Sequence, residues 1–282
     1  MANDMNMLEK FIKIMQTTMK KPTLYGGAHL FFLGLTISAI VLVCFKCRKL
    51  SDRNFRKILL IIGLSLIILE ILKQLNFAYD ATTDSWEYEW KQFPFQFCSI
   101  PMYVMILVAS LRECKFRDYL CSFLATFGLF AGLVVMIYPN TILSNIIFRF
   151  SQSMIHHASM LIVGILMYVS GKVKINHKTF LKALPVFVVC VIIAFMMNLI
   201  YHATGNTDSF NMFYIGPYNK CDIPILNTIG SALNIASKNL HFGNFVFILI
   251  YIVGFSIAAY FILLASMLIN KIHCKYNKKK SQ

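Results

Sequence analysis

The sequence predicts an all-α fold: a polytopic membrane bundle of about seven transmembrane helices, N-terminus outside and C-terminus cytoplasmic. Three observations carry this reading. Seven apolar runs cover half of the 282 residues. Charged residues make up only 14% of the chain, against about 25% in soluble domains. Lysine and arginine also gather in alternate links between the runs. The runs fall at roughly 27–45, 58–79, 96–111, 119–138, 153–170, 183–203 and 244–268. Most reach the ~20 residues that a helix needs to cross a ~30 Å hydrocarbon core. The third is short and contains Pro101.

Orientation follows from counting cations. Of the 27 Lys and Arg residues, 18 lie in KCRKLSDRNFRK, RECKFRD, GKVKINHKTFLK and the tail KIHCKYNKKK. Eight lie on the opposite side, and Lys73 falls within a span. The larger group belongs in the cytoplasm. The acidic link ATTDSWEYEWKQ then faces out, with Trp86 and Trp90 at interface depth. The basic N-terminal segment runs against this count. In it, Leu8, Phe11, Ile12, Met15 and Met19 share one helical face, as in an interfacial amphipathic helix. A flexible tail is the alternative.

The chain therefore divides into an amphipathic or flexible segment over 1–24, one transmembrane domain over 25–270 and a basic cytoplasmic tail over 271–282. No cleavable signal peptide is apparent. An outer loop over 204–243 is long for a compact membrane domain. Such a segment lies on the interface, re-enters as a lid, or is solvated.

The net charge of +15 sits in short links that suit anionic headgroups, with no basic groove or stripe. Nucleic acid is excluded as a partner. The eight cysteines lack disulfide-framework spacing; Cys44, Cys47, Cys114, Cys121 and Cys274 fall near cytoplasmic ends, where thiols stay reduced. Cys44-x-x-Cys47 has no second pair to complete a structural zinc site. No metal or cofactor is expected, and no pattern specifies an oligomeric state.

Ionisable groups inside a span cost several kcal/mol unless paired or hydrated, so each is a candidate functional residue. In this topology His29, Glu70, Lys73, Cys98, His156, His157, Asn198 and His202 come from five helices to one depth, the outer third of the membrane. Glu70 and Lys73, at i and i+3, share a face. They form either a structural ion pair or a partner for a histidine. Cys98, in FPFQFCSIPMY, lies near a helix N-terminus that favours a thiolate; it is either a nucleophile or a small buried hydrophobe. His156 and His157 point about 100° apart on a helix, so only one serves a given spot.

These residues resemble the YwaF-like integral membrane family of bacteria, which also includes eukaryotic transmembrane protein 164. The resemblance covers most of the length. It is carried by His29, by Glu70 and Lys73, and by Phe93 to Ser99, where FPFQFCS stands for a pattern like LPLHLCS. FRFSQSMIHH is similar to an Arg-Phe-x-x-Gln stretch leading to a His, aligned with His157; Asn198 and Asn211 to Tyr214 resemble an Asn followed by an Asn-Tyr segment. Gln96 replaces the usual His before the cysteine.

The resemblance implies acyl transfer in the cell membrane, here the bacterial cytoplasmic membrane, between phospholipids and lysophospholipids. Cys98 would hold the acyl chain as a thioester, with His157, or His29, as base and then acid. Gln96, His156, Asn198, Glu70 and Lys73 would support the site. The rival class is a non-enzymatic transporter or lipid-binding protein that uses the Glu, Lys and His groups as a polar site.

Overall fold

The computed structural model describes residues 6–205, 209–237 and 240–280. Expectations that touch Lys238, the side chain of Cys274, or the chain ends at 1–5 and 281–282 lie outside the described residues.

α1 (Met7–Met15) starts with a reciprocal cap: Asn6 Oδ1 accepts the Glu9 N–H at 2.9 Å, and Glu9 Oε2 accepts the Asn6 N–H at 2.8 Å. Ile12 is buried, while Met7, Leu8, Phe11 and Ile14 are exposed. Just past its end, Gln16 Nε2 donates to the carbonyls of Asn76 at 3.0 Å and Tyr79 at 2.7 Å. The N-terminal segment is thus fastened to one end of the bundle.

α2 (Gly27–Lys46) and α3 (Asp52–Ala78) follow. A two-residue hairpin, Tyr79–Asp80 against Ser85–Trp86, leads to the short α4 (Ile100–Ser110). α5 (Lys115–Phe123) runs through a π-helical turn, Leu124–Gly128, into α6 (Leu129–Ile137). α7 (Ile147–Val169), α8 (His177–Ala203), α9 (Pro224–Ala232) and α10 (Phe242–Lys280) complete the bundle.

Six helical stretches are long and apolar enough to cross a membrane, judged by length and composition. The 11-residue α4 is not; it rises only about 16 Å. Its C-terminal end lies against the start of α3. Arg56 Nε donates to the Ala109 carbonyl at 2.6 Å, and Asp52 binds both Arg117 at 2.5 Å and Lys172 at 3.0 Å. The start of α3, the end of α4, the start of α5 and the α7–α8 turn therefore meet at one end. α4 is short because the chain from Phe93 to Ser99 is irregular and Pro101 falls in its first turn.

Burial separates centre from periphery. The most apolar 18-residue window is 72% buried in α5–α6 and 61% in α7, against 11% in α2 and 22% in α3 and α10. The peripheral helices expose Phe31, Ile61, Ile192 and Phe261, a surface that lipid solvates. At the centre two glycines let backbones meet. A Cβ on Gly132 would lie 2.6 Å from the Leu161 nitrogen and 2.8 Å from the His157 carbonyl oxygen, and one on Gly164 would lie 2.7 Å from Leu129 Cβ. Small residues at helix crossings serve this purpose in membranes.

Gly132→Ala should accordingly lower the thermal midpoint of the detergent-solubilised protein by about 5 °C, the equivalent of ~2 kcal/mol of overpacking. Gly34→Ala, whose Cβ would meet nothing within 4 Å, should leave that midpoint where it is or raise it.

Candidate functional site

Arg149, Gln152 and His156 stand at i, i+3 and i+7 on α7, one helical face. That face turns inward onto the end of α3. Arg149 donates to Asn76 Oδ1 at 2.6 Å and to the Asn76 carbonyl at 2.8 Å, with its guanidinium 3.8 Å from the centre of the Phe77 ring. Gln152 Nε2 donates to Glu70 Oε2 at 3.3 Å. Glu70, buried, also receives Lys73 Nζ at 2.8 Å and Gln74 Nε2 at 2.7 Å. The Glu70–Lys73 pair expected from spacing is present, and the other bonds of Glu70 go to two glutamines.

One turn further along α7, His156 Nε2 meets the carbonyl oxygen of Cys98 at 2.9 Å. A carbonyl only accepts, so Nε2 carries the proton and Nδ1 keeps a lone pair. Nδ1 is buried with no hydrogen-bond partner among the described residues. His157 Nδ1 meets the Ser153 carbonyl at 2.7 Å, and its ring centre lies 5.6 Å from that of His156. His29 differs. Its Nδ1 accepts the Tyr25 N–H at 3.0 Å, and its Nε2 donates to the Met136 carbonyl at 2.9 Å. Both nitrogens are used, so His29 ties α2 to the end of α6 and has no lone pair left for base chemistry.

Cys98 is half-buried in the turn that precedes α4. Glu70, Lys73, Tyr214 and Tyr251 all lie within electrostatic reach of its thiol. Phe97 packs on Phe255 at 5.2 Å, Phe187 at 5.5 Å and Phe213 at 5.8 Å.

Phe213 belongs to the outer loop, which is not a solvated excursion. Phe210, Met212, Phe213, Ile215 and Cys221 are buried. Three side-chain amides hold the backbone there. Gln96 accepts the Phe213 N–H at 2.9 Å and donates to the Asn211 carbonyl at 2.9 Å. Asn198 accepts the Met212 N–H at 2.7 Å and donates to the Met212 carbonyl at 3.0 Å. Asn211 accepts the Gly216 N–H at 2.7 Å and donates to the Lys220 carbonyl at 3.0 Å. Phe213 and Tyr214 adopt φ of 58° and 57°, a left-handed conformation that costs about 1–2 kcal/mol per residue, so the clamps must impose it.

The fold thus gathers Cys98, His156, Glu70, Lys73, Gln96 and, through the loop, Asn198. It brings His156 rather than His157 to residue 98, and it places His29 in a separate joint. α7 begins at Ile147, not at 153 as apolarity indicates, so His156 and His157 lie ten or so residues inside it rather than at its mouth. Arg149, Gln152, Gln74, Asn76, Tyr214 and Tyr251 escaped functional assignment in the sequence. The spacing of 149, 152 and 156 in an otherwise apolar helix was the available signal for the α7 residues.

Replacing Asn198 with Ala should release the Met212 N–H and carbonyl together. Hydrogen exchange at the Met212 and Phe213 amides should then accelerate about thirtyfold, the equivalent of ~2 kcal/mol of lost bonding, while amides of α2 keep their protection. Unchanged exchange at 212 and 213 would show that the loop is held by its aromatic packing alone.

Among known proteins, the TMEM164 family profile matches residues 24–267. No curated protein and no solved structure matches the chain. The matched region spans α2 to α10 and includes every residue of the site just described; this multi-pass membrane protein belongs to the TMEM164 family.

Proposed function

We propose that this protein transfers an acyl chain from a phospholipid to a lysophospholipid through a thioester on Cys98, with His156 as the imidazole base. One observation carries the reading. His156 is bonded through Nε2–H to the carbonyl of residue 98 itself, which leaves Nδ1 as a buried lone pair with no partner among the described residues. His156 is thus tied to residue 98 in a single tautomer with a lone pair to offer, and the Cys98 thiol has to turn toward that lone pair to be deprotonated.

In the first half-reaction Nδ1 takes the thiol proton and the Cys98 sulfur attacks the ester carbonyl of the donor lipid. The ester C–O bond breaks, the lysophospholipid alkoxide takes the proton back from the imidazolium, and the acyl chain stays on sulfur. In the second, the hydroxyl of an acceptor lysophospholipid gives its proton to Nδ1, its oxygen attacks the thioester, and the thiol re-forms. The Lys73 ammonium is the cation within reach of the thiolate.

The transporter or lipid-binding alternative needs Glu70 to gain and lose a proton or a ligand. Three donors already hold its oxygens, which favours a fixed carboxylate.

Cys98→Ser should abolish acyl exchange between phospholipids in reconstituted vesicles, and His156→Gln should slow it about 10²–10⁴-fold. Intact mass after incubation with phospholipid should reveal a hydroxylamine-labile acyl adduct on Cys98. Exchange that persists undiminished in Cys98→Ser, or vigorous exchange with no adduct, would sink the proposal.

A further inference from the structure

At the end of the bundle where Asp52 joins Arg117 and Lys172, a cavity of about 710 Å³ opens between the α7–α8 turn and α5. Lys172, Lys174, Lys178 and Lys182 line it together with His177, and Asp118 is the carboxylate among its lining residues. Lys172 is engaged by Asp52 at 3.0 Å and Glu113 at 3.4 Å, and Lys182 by Asp118 at 3.3 Å. Lys174 and Lys178 are exposed and have no ion pair among the described residues. The cavity therefore holds two uncommitted cations and two more that are already paired with carboxylates.

Two further features sit at the same place. α8 begins there, at His177, with Asn176 as its cap, its side chain accepting the Thr179 N–H at 3.2 Å; the first N–H groups of a helix have no partner inside it and favour an anion. Below the lysines α8 presents a continuous lipid-facing stripe: Leu181, Val189, Ile192, Met196 and Ile200 are all exposed. Its opposite face, with Thr179, Ala183, Phe187, Val191, Ala194 and Asn198, is buried. A polar anion-seeking cavity at the head of an apolar strip one helix long has the shape of an amphiphile.

We propose that this cavity binds the headgroup phosphate of an anionic phospholipid from the adjoining leaflet, with its acyl chains lying along the exposed stripe of α8. Basic pockets between transmembrane helices hold acidic headgroups by this means. The site lies at the end of the bundle opposite Cys98 and does not depend on acyl transfer.

The test is native mass spectrometry of the full-length protein in detergent, titrated with phosphatidylglycerol or with phosphatidylcholine. The wild type should retain one phosphatidylglycerol at concentrations where phosphatidylcholine is stripped. Lys174→Gln with Lys178→Gln should raise the phosphatidylglycerol concentration needed about thirtyfold, at ~1 kcal/mol per lysine. Lys57→Gln with Lys115→Gln, exposed cations at the same end but outside the cavity, should leave retention unchanged. Equal losses in the two double variants would reduce the effect to general surface charge and overturn the proposal. So would equal retention of the two lipids by the wild type. Displacement of phosphatidylglycerol by an equal concentration of inorganic phosphate would assign the cavity to a soluble anion and overturn the lipid assignment. All four substitutions are at exposed positions, and an unchanged thermal midpoint confirms that each variant is folded.

Discussion

Glu70 is a carboxylate at a depth where hydrocarbon alone could not hold it. An unpaired ion there costs several kcal/mol, and stripping one partner from a buried pair costs about 3–5 kcal/mol. Lys73 and Gln74 reach it from its own helix, and Gln152 reaches it from α7. That last bond sets the rotation of α7. Once Gln152 faces α3, Arg149 one turn earlier must face Asn76, and His156 one turn later must face the start of α4. The meeting of an imidazole with residue 98 is in this sense a consequence of how the bundle neutralises one carboxylate.

A second constraint acts on the loop above the site. Irregular backbone at membrane depth survives only where protein groups satisfy it. Gln96, Asn198 and Asn211 each present a carbonyl and an NH₂ to main-chain partners, in effect replacing the ladder that the loop lacks. A histidine at position 96 would offer one donor and one acceptor in a different geometry. The glutamine there is better understood as a strut for the loop than as a lost proton carrier. The loop in turn brings Tyr214 within electrostatic reach of the thiol and packs Phe213 on Phe97.

Much of this architecture is legible in the chain. The apolar runs correspond to α2, α3, α5–α6, α7, α8 and α10, because a segment that water cannot solvate has few alternatives to a membrane helix. Two boundaries shifted for identifiable reasons. α7 starts six residues earlier than its apolarity, since Arg149 and Gln152 find partners inside the bundle and hydropathy counts them as exposed. α4 is shorter than its run, since Pro94 and Pro101 keep residues 93–99 out of the helix.

By itself the sequence determined that the chain is a helical membrane protein. It also determined that Glu70 and Lys73 share a face, and that a thiol and several imidazoles lie within membrane helices or at their ends. These follow from period and from the cost of polar groups in lipid, both local properties. Only the tertiary structure decided which histidine meets residue 98. His29, His156 and His157 are equivalent as letters, but their lone pairs are not: the Tyr25 N–H just before α2 and the Met136 carbonyl of α6 consume both nitrogens of His29, while His156 keeps one without a partner among the described residues. Which way a helix is turned about its axis, and whose carbonyl its imidazole meets, depends on neighbours far away in sequence, and no pattern within one segment encodes them.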